Sequence, residues 1–170
     1  MKIRLRDFRL ADFDALWRID QQCFEPGIAY SRLELGAYIR RPGAFTLVAE
    51  GWSDSPAGSG QRTGDVAITG FIVAEANRRR VGHIISIDVL PQARRSGVGS
   101  RLLQAGEERL QLAGCHGVVL EAAVDNQTAL AFYKRHDYTV LKTISNYYSN
   151  GVDALVLGKA LKPHAGEQAS

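Results

Sequence analysis

Ile87-Asp88-Val89-Leu90-Pro91-Gln92-Ala93-Arg94-Arg95-Ser96-Gly97-Val98-Gly99-Ser100 is the stretch of sequence that decides the fold. A β-branched run stops at Pro91, and two glycines, Gly97 and Gly99, then open a long helical pattern. Glycine lets a backbone approach a ligand closely, and the first N–H groups of a helix have no partner inside it. Arg94 and Arg95 add positive charge beside them. The stretch therefore predicts a strand that leads into an anion-binding turn at a helix N-terminus.

Other interpretations of this turn are a plain strand-to-helix connection and two well-known phosphate motifs. The R-x-x-G-x-G pattern alone is a weak signal. A Walker A loop needs Gly-Lys-Ser/Thr, whereas Gly99 precedes Ser100 and Arg101. A Rossmann turn needs a third glycine and an early position in a βαβ unit, but this turn follows several strands. Both phosphate motifs fit worse than a different kind of anion site.

Hydrophobic periodicity outward from this turn predicts one domain, residues 1–161, with a polar tail at 162–170. The predicted strands are residues 3–6, 44–50, 67–76, 81–90, 118–124, 138–145 and 154–161. The predicted helices are residues 10–24, 31–40, 97–113 and 126–135. Residues 51–65 are rich in Gly, Ser and Pro, which predicts a long flexible hairpin loop. Strands dominate the first half and alternate with helices in the second, which predicts a mixed α/β or α+β sheet.

Composition excludes several classes of protein. The 170 residues are 45% hydrophobic and 23% charged, which is typical of an ordinary globular domain. No apolar run spans a bilayer and the N-terminus has no secretory pattern, so we expect a cytoplasmic protein without a membrane partner. Two isolated cysteines and four scattered histidines predict no metal site. The net charge of +3 comes from short basic groups spread along the chain, which favours a solvated surface over a specific nucleic-acid groove.

Two motifs in the same order and spacing resemble the GNAT superfamily of N-acetyltransferases. Arg94, Gly97 and Gly99 fill its acetyl-CoA signature, Arg/Gln-x-x-Gly-x-Gly/Ala. The segment 120–133, LEAAVDNQTALAFY, resembles the family pattern of Leu-Glu followed by Asn-x-x-Ala and an aromatic-Tyr pair. The resemblance implies a mostly antiparallel sheet of about seven strands, splayed at the cofactor site, with about four helices. It also implies acetyl-CoA as the co-substrate.

The same resemblance implies where acetyl-CoA is bound. The pantetheine arm would pair with the backbone of Ile87, Asp88 and Val89, because the family's strands splay there. The pyrophosphate contacts implied by the match are Arg94, Arg95, Ser96, Gly97, Val98, Gly99 and Ser100. Asn126 would both cap the following helix and contact the cofactor, although capping alone also explains an Asn there.

Acetyl transfer to an amine needs a neutral amine, a donor for the oxyanion and a proton for the departing thiolate. By resemblance, Glu121 is the general base, directly or through a water, and Tyr133 protonates the thiolate. A sheet-end Glu and a core aromatic residue are the structural alternatives. His83 is a further candidate, since strand alternation places it on the face of Ile87 and Val89. It would assist deprotonation near neutral pH, or it is a strand-end residue beside Arg80.

For recognition of the acceptor, the resemblance points to the loop between the first two helices and to the hairpin around Tyr147 and Tyr148. Asn146-Tyr147-Tyr148 is similar to the C-terminal hairpin of the subgroup that acetylates protein N-termini, whose type is the ribosomal-protein S18 alanine acetyltransferase. The substrate-binding residues implied are Phe24, Tyr30, His83, Tyr147 and Tyr148. Residues 27–30 differ from the Trp-containing loop of that type. We therefore expect transfer to the α-amine of a protein or peptide, with two alternatives: a small-molecule amine acetyltransferase and a non-catalytic acyl-CoA-binding regulatory module.

Overall fold

A computed structural model of the protein describes residues 1–52 and 66–162. Their seven strands form one sheet in the order β1-β2-β3-β4-β5-β7-β6, in which every pair is antiparallel except β4 and β5. The strands are β1 (Lys2–Asp7), β2 (Ala44–Trp52), β3 (Ala67–Ala76), β4 (Val81–Val89), β5 (Gly117–Ala123), β6 (Thr139–Ile144) and β7 (Ala154–Ala160). The helices are α1 (Phe13–Cys23), α2 (Arg32–Ile39), α3 (Val98–Leu112) and α4 (Gln127–Arg135). The predicted α/β domain with a mixed, mostly antiparallel sheet and four helices is confirmed.

Three predicted boundaries need correction or fall outside the described residues. The first helix begins later than predicted, because Leu10–Asp12 form a separate 3-10 turn before α1. Gly51 and Trp52 belong to β2, since they pair with β1, so the predicted loop does not start at Gly51. The rest of that loop and the tail beyond Lys162 lie outside the described residues.

Each face of the sheet is covered by two helices and carries its own hydrophobic cluster. On one face, α3 and α4 pack side chains such as Leu102, Leu110 and Tyr133 against Ile72 and Leu120 of the sheet. On the other face, α1 and α2 bury an apolar cluster that includes Leu16, Leu35, Val48, Phe71 and Val73. Burial of one such side chain contributes about 1.5–3 kcal/mol, so both faces hold the sheet firmly between helices.

A β-bulge interrupts β4 in its middle. Val73 of β3 lies opposite Ser86, and the next residue, Ala74, lies opposite Ile84, so Ile85 is an extra residue on β4. An extra residue reverses the inward and outward alternation of every side chain that follows it. Before the bulge, the odd-numbered side chains of β4 face α1 and α2. After the bulge, the even-numbered side chains face them.

The bulge corrects the predicted face of His83. Cross-strand pairing places His83 beside Glu75, on the α1 and α2 face, and Asp88 lies on that same face opposite Phe71. Ile87 and Val89 instead pack against the α3 and α4 cluster. Simple alternation across Ile85 was wrong because it assumed an unbroken period of two.

The strands β4 and β5 separate soon after they meet. Their parallel pairing runs only from Val81–His83 to the partners Gly117–Val119. Beyond that point β5 pairs with β7 up to Ala123, while residues 84–89 of β4 have no strand partner on the β5 side within the described residues. A wedge-shaped opening between the two strands is the result, and the turn after β4 lies at its wide end.

Candidate active site

The turn between β4 and α3 forms a cradle of backbone N–H groups. Gly97 caps α3 with a left-handed φ of +86°, and Arg95 is also left-handed, at +62°. The first backbone hydrogen bond of α3 is donated by the N–H of Arg101, 3.0 Å from the oxygen of Gly97. The N–H groups of residues 98–100 precede this bond and are free for an anion, as at other helix N-termini.

Small residues keep this cradle open. No atom lies within 4 Å of the position that a Cβ on Gly97 would take, whereas a Cβ on Gly99 would stand 3.3 Å from the ring of Phe132. The side chain of Arg94 turns back to donate to the carbonyl of Val89 at 3.2 Å. Arg95 is exposed at the rim. An open, glycine-lined turn with arginine beside it fits a diphosphate, as the sequence predicts.

Glu121 and His83 meet where β4 and β5 part. Glu121 Oε2 lies 2.6 Å from His83 Nε2, and both side chains are half-buried. Burial lowers the pKa of His83, but the hydrogen bond and charge of Glu121, together with the charge of Glu75, outweigh it and raise the pKa above its ordinary value. The two predicted residues therefore form one hydrogen-bonded unit at the narrow end of the wedge.

Glu75 is a neighbour of this unit that the sequence did not reveal. Its carboxylate lies 3.7 Å from His83 Nδ1 and accepts a hydrogen bond from Arg41 at 3.0 Å. A glutamate at the end of an otherwise apolar strand was the available signal, but strand periodicity alone could not show that it meets His83. His83 thus lies between two carboxylates, one on each ring nitrogen.

Tyr133 and Asn126 come from α4 on the opposite face. Tyr133 is only 6% exposed and stacks edge-on against Tyr138 at 5.5 Å between ring centres. Burial, then the nearby charge of Asp88, raises the pKa of the Tyr133 phenol, which keeps it protonated. Asn126 caps α4 by accepting from the N–H of Ala129 at 3.1 Å. Within the described residues no hydrogen bond joins Tyr133 to Glu121.

The two predicted acceptor loops touch each other. Ser149 Oγ, from the loop between β6 and β7, donates to the carbonyl of Gly27, in the loop after α1, at 2.8 Å. Tyr147 and Tyr148 stack edge-on at 4.9 Å, and Tyr147 is 45% exposed. Phe24 is half-buried at the end of α1. These contacts form one continuous wall beside the wedge.

Tyr30 joins this wall through a partner that the sequence missed, Tyr38 of α2. The two rings lie 5.0 Å apart, and the Tyr30 hydroxyl donates to the carbonyl of Ile85 at 3.3 Å. Burial, followed by the neighbouring Tyr38 and Tyr147, raises the pKa of Tyr30. Tyr30 therefore connects the acceptor loop to the bulged strand of the wedge.

Asp88 differs from its neighbours in β4, because its side chain faces α1. It is 1% exposed and accepts from Ser86 Oγ at 2.5 Å. Asp20 of α1 is fully buried beside it and accepts from the Tyr30 N–H at 2.7 Å. Asp88 Oδ2 and Asp20 Oδ1 have no donor in the described protein, and burial together with the opposing Asp20 carboxyl raises the pKa of Asp88 well above normal. Only the Asp88 backbone, not its carboxyl, lies along the open edge.

Comparison with known proteins identifies the family of this protein. The acetyltransferase (GNAT) family model matches residues 13–138, which include the cradle, the Glu121–His83 unit and Tyr133. The chain belongs to the GNAT acetyltransferase family. It is an acetyl-CoA-dependent N-acetyltransferase.

Individual relatives of this GNAT acetyltransferase agree with that assignment. The chain is 33% identical to the uncharacterised N-acetyltransferase MJ1530 of Methanocaldococcus jannaschii, over 95% of this chain and 93% of the relative. It is 37% identical to an N-alpha-acetyltransferase of Sulfurisphaera tokodaii over 81 residues, about half of either chain (47% and 48%). The ribosomal-protein-S18-alanine N-acetyltransferase of Escherichia coli has the same fold, with a TM-score of 0.76, 19% identity and 99% of both chains covered.

Two searches of the described residues concern other functions. In residues 1–52 and 66–162, no three His, Cys, Asp or Glu side chains are grouped to hold a metal ion. No helix in these ranges is both long enough and apolar enough to cross a membrane.

Proposed function

We propose that this GNAT enzyme acetylates the N-terminal α-amine of a protein or peptide, with Glu121 as general base and His83 as its partner. The observation that carries the proposal is the 2.6 Å contact between these two side chains at the point where β4 and β5 part. A base belongs at this point, because the amine must approach from the acceptor wall while the acyl donor lies in the wedge.

In this proposal Glu121 takes the proton of the incoming ammonium group, directly or through a water. Neutral His83 with its hydrogen on Nδ1 accepts that proton from Glu121 through its bare Nε2, and the resulting imidazolium donates a hydrogen bond back to the carboxylate. Its second nitrogen faces Glu75, which favours an imidazolium in the next step. The proton that Glu121 takes from the amine can therefore pass on to His83, which leaves Glu121 free to act as a base again.

Acetyl-CoA, when bound, supplies a thioester whose carbonyl carbon accepts the neutral amine. We propose that the backbone of Ile87–Val89 and the cradle at 94–100 hold it, with Asn126 beside them. Tyr133 then donates its phenolic proton to the departing sulfur. The raised pKa of Tyr133 means that the phenol is protonated at neutral pH, so the proton is present when the sulfur departs.

A peptide acceptor is favoured by the aromatic wall. Tyr30, Tyr147 and Tyr148, with Phe24 at the end of α1, come from two loops that meet through the Ser149–Gly27 bond. Such rings suit an extended chain more than a compact charged ligand. The partial match to an N-alpha-acetyltransferase and the fold shared with an S18-alanine enzyme support the same acceptor. A small-molecule amine is the competing acceptor, and a cytoplasmic location stays a prediction.

The test is release of free CoA thiol with a panel of N-terminal peptides and small amines. Glu121→Gln keeps the hydrogen bond to His83 but removes the base, and Tyr133→Phe removes only the hydroxyl. We expect peptide-dependent turnover in the wild type and a loss of about 10²-fold or more in kcat for each variant. Turnover with small amines but not peptides overturns the acceptor assignment, and tight acetyl-CoA binding without any turnover favours a regulatory module.

A further inference from the structure

Three turns and the segment 161–162 form a single surface at one end of the sheet. The N–H of Ala76 donates to the carbonyl of Gly43 at 3.2 Å, which joins turn 40–43 to turn 77–80. The N–H of His116 donates to Arg80 at 2.9 Å, and the N–H of Leu161 donates to His116 at 3.0 Å. The turns 113–116 and the residues 161–162 are thereby joined to the same surface. Segments that are far apart in sequence lie side by side.

This surface is strongly basic. Its exposed cations, here called the basic end, are Arg40, Arg41, Arg78, Arg79, Arg80 and Lys162. The four segments contain no Asp or Glu. Without these six residues, the 21 Lys and Arg of the chain fall to 15, against 18 Asp and Glu. The rest of the sequence therefore has a net charge of −3, so these six cations, which the sequence shows as separate short groups, account for the positive excess.

The basic end begins where the acceptor wall stops. Arg41 lies 4.6 Å over the ring of Tyr38, which stacks on Tyr30 of the wall. Arg41 also binds Glu75, which faces His83. An extended peptide advances about 3.3 Å per residue, so a chain whose amine meets the base comes within reach of the basic end in its first few residues.

We propose that the basic end binds acidic side chains of the acceptor, a few residues after its N-terminus. The inference rests on the proposed function, since it assigns a substrate class to the same site. Exposed charges at the rim of an interface change the association rate and the salt dependence more than the chemical step. The basic end therefore lowers KM for acidic acceptors and leaves kcat nearly unchanged.

An acidic peptide fits this surface better than a nucleic acid. The turns contain no Phe, Tyr or Trp on which a base stacks, and such platforms are what single-stranded nucleic acid needs. Tyr38, the ring beside Arg41, is already covered by Tyr30 and Arg41. Arg41 connects the basic end to the acceptor wall. The molecule that we assign to the basic end is therefore the acceptor peptide itself.

The experiment compares three peptides that share their first three residues and carry Glu, Ser or Lys at positions four to seven. The wild type is compared with Arg78→Gln/Arg79→Gln, two exposed side chains at the tip of the turn between β3 and β4. Arg9→Gln/Arg18→Gln removes the same charge from exposed positions outside the basic end and is the matched control. KM from thiol release and Kd from fluorescence anisotropy of labelled peptides are measured at low and moderate salt.

We expect the wild type to bind the Glu peptide about threefold to tenfold more tightly than the Ser peptide, and the Lys peptide least. Arg78→Gln/Arg79→Gln removes most of this preference, with kcat and the KM for acetyl-CoA unchanged, and the control variant keeps it. Equal KM and Kd for all three peptides overturn the inference while leaving the proposed function intact. Absence of turnover with every peptide contradicts the proposed function instead, and anisotropy then still decides the charge preference. Competition by single-stranded RNA without any peptide preference overturns the inference in favour of a nucleic-acid partner.

Discussion

At the scale of single residues, the site depends on titratable groups that the fold brings into contact. His83 has a carboxylate on each ring nitrogen, at 2.6 Å and 3.7 Å. These carboxylates outweigh the effect of burial, so the pKa of His83 lies above its ordinary value. A histidine held in its charged form to higher pH cannot accept a proton until the pH exceeds that raised pKa.

The first prediction concerns the pH dependence of catalysis. In the wild type, kcat/KM should rise with pH through a pKa above the ordinary value of histidine, because neutral His83 must receive the proton from Glu121. His83→Gln should lower kcat several-fold and move this limb to lower pH. Rates measured by thiol release between about pH 5.5 and 9.5 check it. An identical acid limb in the variant would mean that His83 plays only a structural role.

The second prediction concerns the buried Asp20–Asp88 pair. Burial, less the hydrogen bonds it receives, raises the pKa of Asp20 to about 6, and the pKa of Asp88 is also raised. The folded state therefore holds protons that the unfolded state releases near its lower pKa. The contribution of this pair to the free energy of unfolding is greatest below about pH 4. It is lost as the pH rises through the pKa values of the folded state.

Asp88→Asn removes one of these titrations while its amide can still donate to Asp20. We expect the variant to be more stable than the wild type above pH 6, by about 1 kcal/mol, with a flatter decline toward alkaline pH. Urea unfolding from pH 4 to pH 9 checks the slope, with the exposed Asp14→Asn as control. A decline as steep as that of the wild type would show that the pair carries no shared proton.

At the scale of elements, the bulge and the parting of β4 from β5 create the site. The extra residue Ile85 turns His83 toward the acceptor face while Ile87 and Val89 face α3. Pairing between the strands ends at His83, so the base stands at the narrow end of the wedge and the cradle at its wide end. In the proposed function, the same two irregularities separate the acceptor from the co-substrate.

The third prediction tests the cradle of α3. Gly99→Val places a branched side chain against the ring of Phe132, since a Cβ there already stands 3.3 Å away. We expect the KM for acetyl-CoA to rise about tenfold or more, with the KM for peptide little changed. The control is Gln104→Val, at an exposed position of the same helix. It measures how much a β-branched side chain destabilises the helix by itself. Equal effects of both variants would mean that Gly99 serves the helix and not the co-substrate.

Sequence periodicity predicted the elements well, because strands and helices follow local patterns. The strand Ala67–Ala76 has the predicted bounds, and Ser31 caps α2 as expected. The bulge at Ile85 could not be predicted, since it is visible only against the partner strand. Glu75 and Tyr38 were missed for the same reason: their roles come from neighbours that are distant in sequence.

At the scale of the whole molecule, charge and shape are arranged along the sheet. The basic end lies at the opposite end of β4 from the cradle, and the acceptor wall connects to it through Arg41. The sequence predicted a dispersed, solvated charge, which was reasonable for short groups that are tens of residues apart. Only the hydrogen bonds between the turns show that the groups are adjacent.

The fourth prediction follows from this arrangement. Raising the ionic strength from about 0.05 M to 0.5 M shortens the Debye length and screens exposed charges. We expect kcat/KM for a peptide with acidic residues at positions four to seven to fall several-fold, while that of the matched Ser peptide stays nearly constant. A parallel decline for both peptides would trace the salt effect to the co-substrate's phosphates.

The most direct test of the central claim is the site of acetylation on a peptide that carries both a free N-terminus and an internal lysine. Tandem mass spectrometry after limited turnover locates the acetyl group, and a peptide with a blocked N-terminus is the control. We predict acetylation of the α-amine alone, loss of about 10²-fold or more of the rate in Glu121→Gln, and no reaction with the blocked peptide. Modification of the lysine at an equal rate, or an unchanged rate in Glu121→Gln, would contradict the account.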